Sequence, residues 1–277
     1  MPPSEESPSA ATPAREYSYE RGAVGAASAR PVAVETAVNI LFGGVPFAVM
    51  MTTPGDLEDF ATGFSLTEGI VERASEIRGI EIGRAERGLT LNVALAGERM
   101  SAHLARGRAI SGRTGCGLCG IQDLAGLPAP RARLALSEPV APASVRAALA
   151  ALDGSQPLND ETRAVHAAAW CDREGAVVAL REDVGRHNAL DKLIGALARR
   201  GVDPAGGFIV ITSRCSFEMV AKAVAFGAST LVALSAPTSL AIERARASGL
   251  VLIAVARADH ALVFNDPNAV VGGGLAA

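Results

Sequence analysis

Phe208-Ile209-Val210-Ile211-Thr212, then Ser213-Arg214-Cys215-Ser216, then Phe217-Glu218-Met219-Val220-Ala221-Lys222-Ala223-Val224-Ala225-Phe226: a short apolar run, a polar cluster and an apolar-rich segment of helical length follow one another. The reading is strand, turn, helix. Working outward, the unit recurs. Downstream lie a strand over 231–234, a helix over 239–247 and a strand over 250–255; upstream lie a strand over 177–181 and a helix over 188–199. Alternating strands and helices of this length predict a layered α/β sheet with mostly parallel strands, whose ligands gather at the carboxyl ends of the strands. Three polar clusters fall at those ends: Glu182-Asp183-Val184-Gly185-Arg186-His187-Asn188, Ser213-Arg214-Cys215-Ser216 and Arg257-Ala258-Asp259-His260.

The rest of the chain divides around this unit. Residues 1–28, rich in Pro, Ser, Ala and Glu without apolar periodicity, read as a disordered tail. Residues 29–105 read as a small α+β domain. Its hairpin turns at Gly43-Gly44, and its helix carries the stripe Leu57, Phe60, Ala61, Phe64 and ends near Gly69. Short strands over 77–82 and 89–95 and a helix bearing Met100, His103 and Leu104 complete it. Five glycines between 106 and 120 make that stretch a flexible loop. Residues 121–277 form the α/β domain, which opens with helices over 142–152 and 162–170.

The chain has 277 residues, 49% of them hydrophobic, enough for one large or two smaller cores. Four cysteines, at 116, 119, 171 and 215, and the absence of a leader pattern point to a reducing, cytoplasmic setting. The longest apolar runs are strand-length, so no membrane span is expected. A formal charge of -3 and a pI near 5.9 give no basic field for nucleic acid.

The pair Cys116-Gly117-Leu118-Cys119 admits three chemistries: half a zinc site, a redox pair, or an acceptor of transferred sulfur. Structural zinc needs four ligands, and Cys171 and Cys215 stand alone, so no structural zinc is expected. A zinc deaminase needs an H-x-E or C-x-E upstream of its pair, whereas His166 lies downstream. A redox pair wants its first cysteine at a helix start after a buried strand, which Gly115-Cys116-Gly117 lacks. A glycine-hinged thiolate with Arg106, Arg108 and Arg113 nearby suits sulfur transfer, since attack on a persulfide is thiolate displacement at sulfur. From spacing and flanks alone the sulfur-carrier and redox readings stand level.

Four stretches together resemble the formate dehydrogenase accessory sulfurtransferases, the FdhD family. They are Thr53-Pro54-Gly55-Asp56-Leu57-Glu58-Asp59-Phe60 with Glu68-Gly69, Thr114-Gly115-Cys116-Gly117-Leu118-Cys119-Gly120, residues 182–192 from Glu182 to Lys192, and residues 212–222 from Thr212 to Lys222. The resemblance runs from about residue 32 to the C-terminus. It implies a cytidine-deaminase-like layered domain without zinc and a homodimer. It further implies sulfur supplied by a cysteine desulfurase to Cys116, with Cys119 beside it. Delivery is to a molybdenum (or tungsten) bis-molybdopterin guanine dinucleotide bound as acceptor and destined for formate dehydrogenase. The rival readings are a cofactor-holding chaperone for apo-formate dehydrogenase and a thiol-disulfide protein. One departure stands out. The family often has two glycines where this chain has Arg163-Ala164, and side chains there would obstruct a close backbone approach to a ligand.

Such a cofactor presents diphosphates, which suit Arg, Lys and helix N-terminal amides, and guanines, whose paired donors suit a carboxylate. Arg186, His187 and Lys192 start one helix; Arg214 and Ser216 start another. Asp183 could meet a guanine or cap the next helix. The segment Val255, Ala256, Arg257, Ala258, Asp259, His260 matches the family's pterin-contacting stretch and also reads as a hairpin turn. His166 reads as a core histidine on a helix, and Cys171 and Cys215 as packing residues.

Overall fold

The computed structural model describes residues 7–101, 133–135 and 138–267. Its larger sheet has the strand order β12-β11-β10-β9-β7-β8. The strands are β7 (His166–Asp172), β8 (Val177–Asp183), β9 (Gly207–Ile211), β10 (Thr230–Ala233), β11 (Val251–Ala254) and β12 (Leu262–Asn265). β9, β10 and β11 are parallel; β7 runs antiparallel to both β8 and β9, so β8 points the same way as the parallel set. β12 closes the far edge antiparallel to β11.

Side-chain alternation along the strands assigns the layers. Ile209 and Ile211 face a core built with α4 (Arg186–Arg199), α5 (Phe217–Phe226) and α6 (Ser239–Ser248), through Leu190, Leu193, Met219, Ala223 and Ala245. Phe208 and Val210 face the opposite core, under α2 (Pro142–Leu152) with Val145, Ala148 and Leu152. Near-continuous apolar runs in the central strands follow from burial on both faces. The layered α/β expectation therefore holds, with the sheet mixed in direction.

The smaller sheet has the order β4-β3-β6-β5, from β3 (Thr36–Phe42), β4 (Val45–Thr52), β5 (Ile77–Ala85) and β6 (Gly88–Leu95). One face packs Val38, Ile40, Leu91 and Val93 against Phe60 and Phe64 of α1 (Leu57–Thr67). Residues 97–101 are helical; His103 and Leu104 lie outside the described residues.

Two segments differ from the sequence reading. In place of a tail over 1–28, residues 9–33 form a hairpin of β1 (Ser9–Ser18) and β2 (Ala23–Ala33). Almost all its side chains are exposed, so no apolar pattern announces it; the backbone ladder carries it, and Ser9 Oγ anchors it on Glu161 of α3 (Pro157–Thr162) at 3.0 Å. The helix expected over 162–170 is instead the end of α3 followed by β7. Alanine favours helix intrinsically, but Ala167, Ala168 and Ala169 lie between two strands, where small side chains let helices cover both faces.

The two halves meet where α1 crosses α4. A Cβ on Gly63 would sit 1.8 Å from Asp191 O, and one on Gly195 would sit 1.8 Å from Asp59 O. The helices therefore touch backbone to backbone. Around this crossing Lys192 pairs with Asp183, Lys222 with Asp191, and Arg181 and Arg199 with Asp59.

Candidate functional site

The carboxyl ends of β8 to β11 and the amino end of β7 share one edge of the larger sheet, because His166 pairs with Asp183. At this edge α4 starts at Arg186 after Gly185, and α5 starts at Phe217 after Ser216; neither first turn receives a side-chain cap. The two starts are adjacent, with His187 Nε2 3.8 Å from Glu218 Oε2. Arg186 Nε is buried without a hydrogen-bond partner among the described residues, whereas the buried His187 Nε2 and Ser216 Oγ lean on the Glu218 carboxylate at longer range. Buried polar atoms normally find partners. The α4 start with the unpartnered Arg186 Nε is suited to an anionic group, while the α5 start already carries the Glu218 carboxylate in its first turn.

The local charges are of both signs. Burial raises the Glu218 carboxyl, but the His187 and Ser216 side chains and its own backbone N–H outweigh this and hold it at about 2. Glu218 is therefore a fixed negative charge behind His187. Burial, and then the neighbouring Arg186 and His187, push His166 below its ordinary value, so a second imidazole joins the cluster with its neutral form favoured. The sequence pattern placed Ser216 at this helix start but did not bring His166 or Glu218 to it. Reading β7 as a helix hid His166, whereas its strand pairing brings it to the edge.

Asp183 takes a different place from the one a guanine contact requires. It is fully buried. Its Oδ1 accepts from Gly185 N at 2.8 Å and Asn188 Nδ2 at 3.0 Å. Its Oδ2 accepts from Thr52 Oγ1, from Thr53 N at 3.0 Å and Oγ1 at 2.9 Å, and pairs with Lys192 Nζ at 2.7 Å. With every acceptor direction taken, Asp183 leaves the ligand set. Its partners Thr52 and Thr53 lie more than a hundred residues away in sequence. The one local signal was Asn188 and Lys192, an i, i+4 pair on one face of α4.

The remaining candidates lie on the surface of the same edge. Arg214 is exposed at the end of β9, and residues 257–260 form an exposed turn closed by Arg257 N donating to His260 O at 2.8 Å. Arg257 Nη1 donates to Leu234 O and to Ala256 O, which ties the turn to the end of β10. Val255 enters the turn with φ 52°, a left-handed conformation costly for a β-branched residue. Ala256 is buried, and His260 Nδ1 contacts Asp259 Oδ1 at 2.9 Å, which lowers the Asp259 carboxyl.

Cys116 and Cys119 lie outside the described residues. Cys171 and Cys215 are fully buried, and burial pushes both thiols up to about 12, as packing cysteines require. Among the described residues no three His, Cys, Asp or Glu side chains converge to hold a metal ion, and no helix is long and apolar enough to cross a membrane.

The FdhD/NarQ family model matches residues 33–271, nearly all of both packed halves. The chain belongs to the FdhD/NarQ family. Curated FdhD relatives agree over most of their length. "Sulfur carrier protein FdhD" of Bordetella petrii is 47% identical over 247 residues, 89% of each chain. The protein of that name from Xanthomonas euvesicatoria is 48% identical over 236 residues, 85% of this chain and 84% of its own. Among solved structures, "a putative formate dehydrogenase accessory protein from Desulfotalea psychrophila" matches with a TM-score of 0.72 at 25% identity. The match covers 95% of this chain and 99% of that one. FdhD/NarQ membership thus carries the α/β architecture and connects the chain to relatives named as sulfur carriers.

Proposed function

We propose that this chain is a sulfurtransferase that carries sulfur as a persulfide on Cys116 for the maturation of formate dehydrogenase. The cysteine desulfurase is the donor: the Cys116 thiolate attacks the terminal sulfur of the donor persulfide, a new S–S bond forms on Cys116, and the donor cysteine leaves as thiolate. Arg106, Arg108 and Arg113 raise the thiolate fraction, and Cys119 relays or releases the sulfur. The acceptor is molybdenum bis-molybdopterin guanine dinucleotide, bound as substrate at the strand edge. Arg186 and His187 with the N-termini of α4 and α5 serve one diphosphate, and Arg214, Arg257 and the 255–260 turn lie along the rest of the edge.

The observation that supports this reading is the buried, unpartnered Arg186 Nε beside two adjacent helix starts that receive no side-chain cap, in a chain of this family. With no ligand to bind, that atom would stay uncompensated at a cost of about 1–3 kcal/mol. The test is the intact mass of the chain after incubation with a desulfurase and cysteine. A gain of one sulfur on the peptide containing Cys116, lost in Cys116→Ala together with formate dehydrogenase maturation, is expected. Full client activity with Cys116→Ala would refute the carrier role and favour a cofactor-holding chaperone. The chain acts as a homodimer through its α/β domain, which light scattering at micromolar concentration checks.

A further inference from the structure

The turn over 184–187, which carries Arg186 and His187, is not held by its own domain alone. Asp183 ends β8 immediately before it, and its two carboxylate oxygens divide their work. Oδ1 fixes the turn, accepting from Gly185 N and from Asn188 Nδ2 in the first turn of α4. Oδ2 faces the smaller domain, accepting from Thr52 Oγ1 and from Thr53 N and Oγ1 at the end of β4. Asn188 Nδ2 also donates across the seam to Met51 O at 2.7 Å, and Lys192 Nζ donates to Thr53 O at 3.0 Å and Thr53 Oγ1 at 2.7 Å. Asp183 and Lys192 are both fully buried, so this charge pair is shielded from solvent screening and fixes geometry tightly.

We infer that Asp183, Asn188 and Lys192 are positioning residues that lock the Arg186–His187 turn to the end of β4, so that the smaller domain sets the geometry of the acceptor site. This rests on the turn being a ligand site, as proposed above. A second buried pair, Asp191 with Lys222 at 2.8 Å, provides the internal contrast. It lies on the same helix and seam, but its hydrogen bonds run to Thr67 at the end of α1 rather than to the turn. A lesion there loosens the seam without touching the 184–187 backbone.

The experiment is calorimetric titration of guanosine diphosphate into the full chain, alongside thermal unfolding. The variants are Asp183→Asn with Lys192→Met, Asp191→Asn with Lys222→Met, and Thr52→Val. Each double change removes a buried pair together; the 191/222 change also removes the contact of Lys222 with the Glu68 carboxylate at 3.6 Å, which lies away from the 184–187 turn. Expected are a loss of nucleotide affinity of about tenfold for the 183/192 double variant and about threefold for Thr52→Val. The 191/222 double variant should keep wild-type affinity despite a lowered melting temperature. Equal affinity of wild type and Thr52→Val, or equal losses from both double variants, would overturn the inference while leaving the ligand site in place. A wild-type chain that does not bind the nucleotide would remove the site itself and the inference with it. If the 183/192 variant does not fold, Thr52→Val against the 191/222 variant still decides.

Discussion

Replacing Arg163 with glycine should stabilise the protein. Arg163 closes α3 in the left-handed region, φ 54° and ψ 26°, with its N–H donating to Asn159 O at 2.8 Å. A residue with a Cβ pays roughly 1–2 kcal/mol for that conformation, and glycine avoids it. Against this, the more flexible unfolded chain of a glycine variant costs about 0.5–1 kcal/mol. The side chain gives up little: its contact with Asp160 is 3.6 Å long and it is 75% exposed, so the pair contributes at most a few tenths of a kcal/mol. The net expectation is a gain of about 0.5–1 kcal/mol, or about 1–3 °C in melting temperature for a chain of this size. Differential scanning calorimetry of wild type, Arg163→Gly and Arg163→Ala measures it, because alanine loses the ion pair but keeps the backbone strain. Arg163→Gly melting at or below both others would refute the reasoning. The frequent glycine of the family would then need the ligand-approach explanation instead of a helix-terminating one.

Gly63→Ala should separate α1 from α4, since its methyl carbon would overlap Asp191 O; a loss of at least about 3 kcal/mol in urea unfolding is expected, and a loss under 1 kcal/mol would show that the crossing can adjust. The Glu218 carboxyl is held at about 2 against an ordinary 4.5, so its contribution to stability is complete above about pH 4.5 and fades as the pH falls toward 2. Glu218→Gln should flatten that part of the stability-versus-pH curve, and an unchanged slope between about pH 5 and 3 would count against the pairing with His187. Arg214→Ala or Arg257→Ala should weaken guanosine diphosphate binding about tenfold to a hundredfold while sulfur loading of Cys116 persists. Cys119→Ala should reduce loading less than Cys116→Ala does, and complete, equal loss in both would mean that the two thiols act as an obligatory pair.

Local pattern was enough for the α/β repeat. Phe217–Phe226 and Pro142–Leu152 are helices over the spans read from the chain, because caps, prolines and apolar spacing are properties of neighbours in sequence. It failed where distant partners decide. His166-Ala167-Ala168-Ala169 has helical propensity and becomes a strand only because β8 and β9 flank it. The β1–β2 hairpin is stabilised by backbone pairing, which leaves no trace in side-chain hydrophobicity. The same division runs through the site. The placement of Arg186, His187 and Arg214 at strand ends was legible from the strand–turn–helix pattern alone. The local sequence could not choose between the two readings of Asp183, a guanine contact and a helix cap, because Thr52 and Thr53, which fill its second oxygen, belong to the other half of the molecule.

The burial of Cys171 and Cys215 has a practical side. A thiol held at about 12 has roughly one molecule in 100,000 as thiolate at neutral pH, and both sulfurs lie out of reach of a reagent in the folded state. Two of the four cysteines are therefore silent toward alkylating probes until the chain unfolds. Label taken up by the native protein maps to positions 116 and 119, and label taken up only in denaturant maps to the other two. Counting alkyl groups before and after exposure to a sulfur donor thus turns the wild-type chain into its own reporter of cargo, with no substitution at the thiols under study.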